Sequence, residues 1–321
     1  MLEHAAESLV HTTLSAVALM LLFRLWRLDE PSQRVRFQLA ALGVGALSGP
    51  ALLLLAPARA GEAFREESAL FACSRFAGLP LLGSDARSLA VLALVGLGVL
   101  LYLRDLVAML HEPWRKGTPR ERSAPPGLAA ELAPIAARLR LARPPRIRVV
   151  ESPEPALFCS GLLRPAVVVS EGLLERLTPA EHRAALSHEL AHLAARDPLL
   201  GWLLMLLRTL FFFNPAVQLL ARAIAFDLER RADDRARLVT GEPLELAAAL
   251  VKSHRHARSW LEQGAVPGLD GAIAMLEGFR ARALETRCRL LMAERPKGLR
   301  LPGWHVASVT GGLAVLLYFV V

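Results

Sequence analysis

The stretch "LSHELAHLAARDP", residues 186–198, decides how the rest of the chain is interpreted. It contains His188, Glu189 and His192 in the arrangement H-E-x-x-H. On a helix, residues four positions apart lie about 40° from each other around the axis, so both imidazoles can reach one ion. Glu189 projects beside them and can take a proton from water on that ion. The motif predicts a zinc peptidase site, in which Zn2+ lowers the pKa of the water to about 7 and polarises the scissile carbonyl.

The helix that carries the motif has a clear start and end in the sequence. Thr178, Pro179 and Glu181 form a capping box with proline at the first helical position. Asp197, followed by Pro198, marks the end of the helix.

A third metal ligand is expected on a later helix. Asn214 and Pro215 mark its beginning and Gly241 its end. Within it Glu229 and Asp233 are four residues apart, so a ligating carboxylate and a carboxylate that orients a metal-bound histidine can share one face. The alternative is that the segment is a solvated charged face. Glu242 and Glu245 compete for the role of third ligand.

Four long apolar runs account for the hydrophobic content of 54% and the mean hydropathy of +0.37. They cover residues 8–26, 37–58, 88–103 (extendable to 110) and 304–321. About 20 apolar residues span a bilayer, so each run predicts a membrane-spanning helix; buried core helices are the alternative. Because the chain begins with acidic rather than basic residues, we expect the first run to stay as an anchor.

The basic residues predict how these spans are oriented. Arginines and lysines collect at 24–36, 104–122 and 295–300, whereas the N-terminus is acidic and the loop 59–87 carries balanced charge. Cytoplasmic loops carry an excess of Lys and Arg. The sequence therefore predicts a multi-pass protein of the cell (inner) membrane whose peptidase domain faces the cytosol.

The predicted cytosolic domain covers 128–303, after three N-terminal spans within 1–110 and before the last span at 304–321. A proline-, glycine- and charge-rich linker is expected at 111–127. A helix over 128–141 and strands over 146–150 and 166–170 are predicted, and the second strand is a possible sheet edge for an extended substrate. The apolar segment 198–221 should lie against the membrane, because a further crossing would separate Glu229 from His188.

Several other functions and site classes are disfavoured. The net charge of +8 comes mainly from membrane boundaries and helices, without interleaved aromatic residues, so we expect no nucleic-acid partner. The three cysteines have no C-x-x-C spacing and imply no disulfide framework. Ala195 and Pro198 stand where the metzincin pattern needs glycine and histidine. His254 and His256 are candidates for stabilising the reaction's oxyanion, and the favoured alternative is that they are surface residues of a helix over 243–263.

The segment "HELAHLAARDPLLGWLLMLLRTLFFFNPAVQLLARAIAFDLERRADDRA" resembles the membrane zinc peptidases of the BlaR/MecR type. The similarity covers roughly 145–295, including "SGLLRPAVVVSEGLLERLTPAEHRAALSHE" and "ALETRCRLL". The resemblance implies His188, His192 and Glu229 as zinc ligands and Glu189 as general base. It also implies a supporting role for Asp233 and a structural or orienting role for Asp197. The fold it implies is an α-helical membrane bundle of about four spans with an α+β zincin-like (gluzincin) domain containing a small sheet.

The resemblance also has departures. Ala232 stands where that family often has cysteine, and the Glu-x-x-Ala-Asp pattern is closer to the HtpX and CAAX-type membrane peptidases. We expect no extracellular penicillin-binding sensor, so an antibiotic-sensing role is not implied.

Three functions remain open for this chemistry. The first is an endopeptidase that cleaves cytosolic or membrane regulatory proteins. The second is an HtpX-like peptidase for membrane protein quality control, and the third is a catalytically silent signalling scaffold. The expected partners are a protein or peptide substrate and the lipid bilayer, and a second copy of the chain or a sensor protein is a further candidate.

Overall fold

The computed structural model describes residues 2–70, 84–110, 121–123, 126–141, 145–153, 156–160, 166–263, 270–293 and 301–320. These residues form a mostly helical structure with one small sheet. Two compact units divide the chain. The helical unit comprises Met1–Leu106, Leu204–Asp227 and Lys297–Val321, and the mixed unit comprises Val107–Leu203 and Leu228–Pro296.

The helices in chain order are α1 Leu2–Leu25, α2 Pro31–Leu55, α3 Glu62–Glu67, α4 Ser84–Leu110, α5 Pro126–Arg138, α6 Glu171–Leu174, α7 Pro179–Ala195, α8 Asp197–Leu210, α9 Pro215–Thr240, α10 Pro243–Gln263, α11 Asp270–Met292 and α12 Trp304–Tyr318, with a short 3-10 turn at Pro57–Ala60. The strands are β1 Glu121–Ser123, β2 Arg146–Val150, β3 Leu157–Ser160 and β4 Ala166–Ser170.

In the helical unit, α2 packs against both α1 and α12. Gly45 lets α1 and α2 approach closely, because a Cβ at this position would lie 2.8 Å from the Cα of Thr12. Gly98 likewise lets α4 approach the backbone of Phe213, because a Cβ at this position would overlap the carbonyl group of that residue. Small residues at helix crossings are typical of helices that pack without a hydrophobic driving force in lipid.

Two described helices, Glu7–Leu25 and Pro31–Leu55, are long and apolar enough to cross a membrane. They coincide with the first two predicted spans. The third and fourth predicted spans fall on shorter apolar helical segments, Leu92–Arg104 and Trp304–Tyr318, and stay predictions. Taken together, α7 and α8 are also long and apolar enough to cross a membrane, but the pair bends by 67° at the break between the two helices.

The mixed unit contains a four-stranded sheet in the order β1-β2-β4-β3. Strands β2 and β4 coincide with the two predicted strands and pair in parallel, and β1 and β3 add to them in antiparallel directions. The prediction that 166–170 is an edge strand is wrong, because β4 has a neighbour on each side. All five of its residues are buried, which fits a strand that is apolar on both faces. Strand β1 also falls within the segment predicted as a linker.

The main core of the mixed unit lies between the sheet, α5 and α7. Leu132, Val167, Val169, Leu186 and Leu190 belong to it and are at most 2% exposed. At about 100° per residue, the two leucines lie on the face of α7 opposite His188 and His192. The core therefore holds the motif helix in place and leaves its histidine face for the site.

The boundaries of α7 agree with the capping prediction at its start. The hydroxyl of Thr178 accepts from the backbone N–H of Glu181, and the carboxylate of Glu181 accepts from the backbone N–H of Thr178. At its end, Arg196 adopts a left-handed conformation with φ 58°. The predicted stop at Asp197 is also the start of α8, so the turn places Asp197 directly beside the end of the motif helix.

Candidate metal centre

Three side chains of the mixed unit converge at one point: His188 and His192 from α7, and Glu229 from α9. Their ligating atoms all lie within 4.8 Å of one another. The two Nε2 atoms are 3.1 Å apart. The carboxylate oxygens of Glu229 lie 3.4 Å from Nε2 of His188 and 3.6 Å from Nε2 of His192.

These distances can be compared with what a zinc ion requires. Two donors that are each about 2.0–2.1 Å from a tetrahedral zinc ion lie roughly 3.3–3.4 Å apart. The three observed separations, 3.1, 3.4 and 3.6 Å, lie on either side of that value. The donor set of two imidazoles and one carboxylate is also that of known catalytic zinc sites. The residues therefore fit a zinc ion.

Two carboxylates fix the orientation of the imidazoles. Nδ1 of His192 lies 2.8 Å from Oδ2 of Asp197, and Nδ1 of His188 lies 3.0 Å from Oδ1 of Asp233. A carboxylate only accepts hydrogen bonds, so a neutral His192 carries its proton on Nδ1 and presents a lone pair at Nε2. For His188 the contact of Nδ1 with Asp233 has an ion-pair distance without hydrogen-bond geometry, and the negative charge of Asp233 favours a proton on that nitrogen. Two lone pairs facing each other at 3.1 Å repel unless a cation lies between them.

The pKa values of the site residues indicate that a proton can take the place of the cation between the two Nε2 atoms. Burial alone would lower the pKa of His188, but its contacts with the carboxylates of Asp233 and Glu229 outweigh burial and raise it to about 10. The pKa of Glu229 is lowered: burial opposes this shift, but the hydrogen bond with His188 and the charge of Arg287 exceed it. The pKa of Asp233 is lowered by Arg287 and His188, also against the effect of burial.

Negative charges outnumber positive charges around the three donor residues. The site and its surroundings contain four carboxylates, Glu189, Asp197, Glu229 and Asp233, and two guanidinium groups, Arg231 and Arg287. With both imidazoles neutral, the excess is two negative charges, which one divalent cation balances. Without an ion, a proton on His188, whose pKa is raised to about 10, would supply part of this balance.

Three contacts of the site had no counterpart in the sequence prediction. Arg287, on α11, pairs with both Glu229 and Asp233. Arg231 pairs with Asp197. The thiol of Cys159, on β3, donates to the carboxylate of Glu189 at 3.3 Å and to its backbone carbonyl at 3.2 Å. Burial, followed by the negative charge of Glu189, raises the pKa of Cys159, so the thiol keeps its proton.

The structure places the competing candidates elsewhere. Glu242 pairs with Arg183 at 2.6 Å and is not among the described groups that could share one ion, and neither is Glu245. In the described part of the chain, His254 forms no hydrogen bond or ion pair with the three donors. The side chain of His256 lies outside the described residues.

Comparisons with known proteins identify the family of the chain. The sequence model of the family described as BlaR1 peptidase M56 matches residues 83–264. The chain is 30% identical over 207 residues to a protease HtpX homolog from Moorella thermoacetica, which covers 53% of this chain and 68% of that protein. It is also 30% identical over 173 residues to a protease HtpX homolog from Acidiphilium cryptum, which covers 44% of this chain and 60% of that protein. Because the family match extends over more than half of the chain, this protein belongs to the BlaR1-type peptidase family M56 and, as its motifs predicted, is a membrane peptidase of the BlaR/HtpX type.

Proposed function

We propose that this protein is a zinc-dependent endopeptidase that hydrolyses peptide bonds in cytosolic or membrane regulatory proteins. One observation carries the proposal: His188, His192 and Glu229 converge with the separations that zinc requires, and Glu189 follows the first ligand on the same helix. The position opposite the three donors would be left for water and substrate, as in catalytic rather than structural zinc sites.

The zinc ion and the protein side chains would supply different parts of the reaction. A zinc ion held by His188, His192 and Glu229 supplies a Lewis acid that lowers the pKa of water and polarises the scissile carbonyl. Glu189 accepts the proton that water loses as its oxygen bonds to the carbonyl carbon. It then returns this proton to the amine nitrogen as the C–N bond breaks. Asp197 and Asp233 keep the imidazoles oriented.

The substrate would bind as an added strand on β3, not on β4 as the sequence suggested. Among the described strands, β3 is at an edge of the sheet, and it packs against α7. Cys159, in the middle of β3, contacts Glu189, so a peptide paired with this strand would pass close to the general base. Pairing through main-chain groups suits extended or unfolded segments of many sequences.

The site would lie at the cytosolic surface of the inner membrane, with four spans in total. The arginine-rich loops support this orientation. On α8, next to the motif helix, several large apolar side chains are at least 48% exposed: Leu199, Trp202, Leu203, Leu206 and Leu210. Exposed apolar surface of this kind is characteristic of contact with lipid, so we place α8 at the membrane surface.

The experiment that tests the proposal uses the full chain in liposomes, loaded with zinc and incubated with an unfolded protein whose fragments are counted by mass spectrometry. Glu189→Gln should reduce cleavage by about 10²–10⁴-fold, since it removes the general base, while zinc content stays the same. The matched control is Glu175→Gln, an exposed glutamate of the same unit, which should cleave like the wild type.

The outcomes separate the open functions. Zinc bound without cleavage in the wild type would contradict the proposal and favour the silent scaffold. Substrates captured by Glu189→Gln that are intact regulators support the proposed role, whereas captured proteins that are mostly misfolded membrane proteins favour quality control.

A further inference from the structure

Arg287 lies at the candidate metal centre, but the hydrolytic steps described above give it no role. It lies on α11, and its side chain is 13% exposed. Its Nε donates to Oδ2 of Asp233 at 2.7 Å and its Nη2 donates to Oδ1 of the same carboxylate at 2.8 Å. A two-pronged contact of this kind fixes the plane of the guanidinium group.

The remaining nitrogen of the guanidinium group is directed at the donor atoms. Nη1 lies 2.8 Å from Oε2 of Glu229, the oxygen that is 3.4 Å from Nε2 of His188. Nη2 is 3.4 Å from the same imidazole nitrogen. The end of Arg287 that is not needed to hold Asp233 is therefore at the place where substrate and ion would meet.

A role in folding alone does not account for this placement. Pairing with Asp233 requires only Nε and Nη2, and Asp233 already contacts His188 at 3.0 Å. In the site as it stands, Asp233 and Glu229 compensate the positive charge of Arg287. A divalent cation at the donors would share the carboxylate of Glu229, so the fixed charge of Arg287 beside it favours further negative charge at this place. Hydrolysis produces such a charge, because the carbonyl oxygen becomes negative when water adds to the carbon.

We propose that Arg287 is a catalytic residue whose Nη1 donates a hydrogen bond to the substrate carbonyl oxygen as that oxygen acquires negative charge. The inference rests on the proposed peptidase function. Arg287 keeps its proton throughout, and the proton of the attacking water travels by way of Glu189. A donor that is oriented before the reaction stabilises the transition state more than the ground state, which raises kcat rather than lowering KM.

The test compares Arg287→Ala and Arg287→Lys with Arg289→Ala, each as the full chain. Arg289 is the matched control: it lies on the same helix, its side chain is 74% exposed, and it pairs with Glu285 instead of the site. For each variant we would measure zinc content, kcat and KM for a peptide, and binding of a phosphonamidate peptide that mimics the tetrahedral transition state.

With zinc bound, Arg287→Ala should lower kcat by about 10²–10³-fold with little change in KM. It should weaken phosphonamidate binding by a similar factor, and free guanidinium should restore part of the rate. Arg287→Lys, which keeps the positive charge if the alanine variant does not fold, should also lower kcat and weaken the phosphonamidate. Arg289→Ala should match the wild type in all four measurements.

An Arg287 variant that keeps the wild-type kcat overturns the inference. So does one that loses substrate and phosphonamidate affinity to the same extent, or one whose only defect is loss of zinc that excess zinc repairs. A wild type that takes up no zinc and cleaves nothing contradicts the proposed function instead, and the inference with it.

Discussion

The candidate metal centre of the mixed unit and a buried polar cluster of the helical unit contain similar residues in different arrangements. The second cluster, here termed the Arg59 cluster, consists of Glu7, His11, Ser48 and Arg59. Arg59 pairs with Glu7 at 2.6 Å and donates to the carbonyl groups of Leu317, Tyr318 and Val320 at the end of α12. Both sites contain histidine, carboxylate and arginine side chains, most of which are largely removed from solvent; Glu229, at 40% exposure, is the exception.

The histidines show the difference most clearly. Nε2 of His11 faces the carbonyl oxygen of Val320 at 2.7 Å and must donate to it, while Nδ1 accepts from the hydroxyl of Ser48 at 2.7 Å. Each ring nitrogen thus has a complementary partner. In the metal centre, the Nε2 atoms of His188 and His192 face each other.

The balance of charge differs in the same way. In the Arg59 cluster one guanidinium group matches one carboxylate, whereas the metal centre has two more carboxylates than guanidinium groups. Ionisable groups within membrane segments often mark a functional site, but here the described contacts of the guanidinium group are with one carboxylate and with backbone carbonyl groups. The converging Nε2 atoms and the excess of carboxylates at the candidate metal centre therefore support the proposed zinc site.

The largest effect that separates the two regions should come from Arg59→Met. Removing one partner of a buried ion pair costs about 3–5 kcal/mol, because the other charge stays buried without compensation. We expect the free energy of unfolding in detergent to fall by that amount, with zinc binding to the folded fraction unchanged. Arg24→Met, at an exposed position of α1, is the control. Equal destabilisation by both substitutions would show that the Arg59 cluster does not stabilise the helical unit.

The same Asp→Asn substitution should weaken zinc binding when it is made in the mixed unit and leave it nearly unchanged when it is made in the helical unit. Asp197→Asn removes the charge behind His192 and should weaken zinc binding about 10–100-fold in a competition titration. Asp227→Asn changes a buried carboxylate of the helical unit that accepts from Arg34 and Gln38. It should lower stability and leave the zinc affinity within about threefold. Zinc affinity that falls equally in both variants would contradict the separation of the two sites.

The sequence predicted the parts of the site that are local in the chain. Four-residue spacing on a helix was sufficient to pair His188 with His192 and Glu229 with Asp233, and the Thr178 capping box located the start of the motif helix. These features depend on the geometry of one helix, which is nearly the same in every protein.

The parts that were missed depend on contacts between distant segments. Arg287 is 54 residues beyond Asp233 and resembles the exposed arginines around it on α11. Its only signal was its place in "ALETRCRLL", a segment included in the resemblance without a role. Strand β3, with the small polar residues Cys159 and Ser160, lacks the β-branched pattern that marks β2 and β4, so the true sheet edge was assigned to the wrong strand.

Changes in pH should alter stability and zinc affinity of the metal centre in opposite directions. The pKa of His188 is about 10 in the metal-free protein against 6.5 for the free side chain. The stabilisation from this proton is complete below about pH 6.5 and is lost as the pH rises towards 10. We therefore expect the free energy of unfolding of metal-free protein to fall between pH 7 and 9.

Zinc affinity should rise over the same interval by about tenfold per pH unit, because the ion displaces one proton. Calorimetry in buffers of different ionisation enthalpy would count that proton. An affinity that does not depend on pH between 7 and 9 would contradict the assignment of His188 as a protonated ligand in the metal-free state.

The central claim is that His188, His192 and Glu229 form one zinc site, and the zinc content of two matched variants tests it most directly. Glu229→Gln and Glu242→Gln each neutralise a glutamate of the mixed unit that pairs with an arginine, but only Glu229 lies at the donors. Elemental analysis after equilibration with limiting zinc should find one ion per chain in the wild type and in Glu242→Gln, and close to none in Glu229→Gln. Full zinc content in Glu229→Gln, or its loss in Glu242→Gln, would contradict the proposed site.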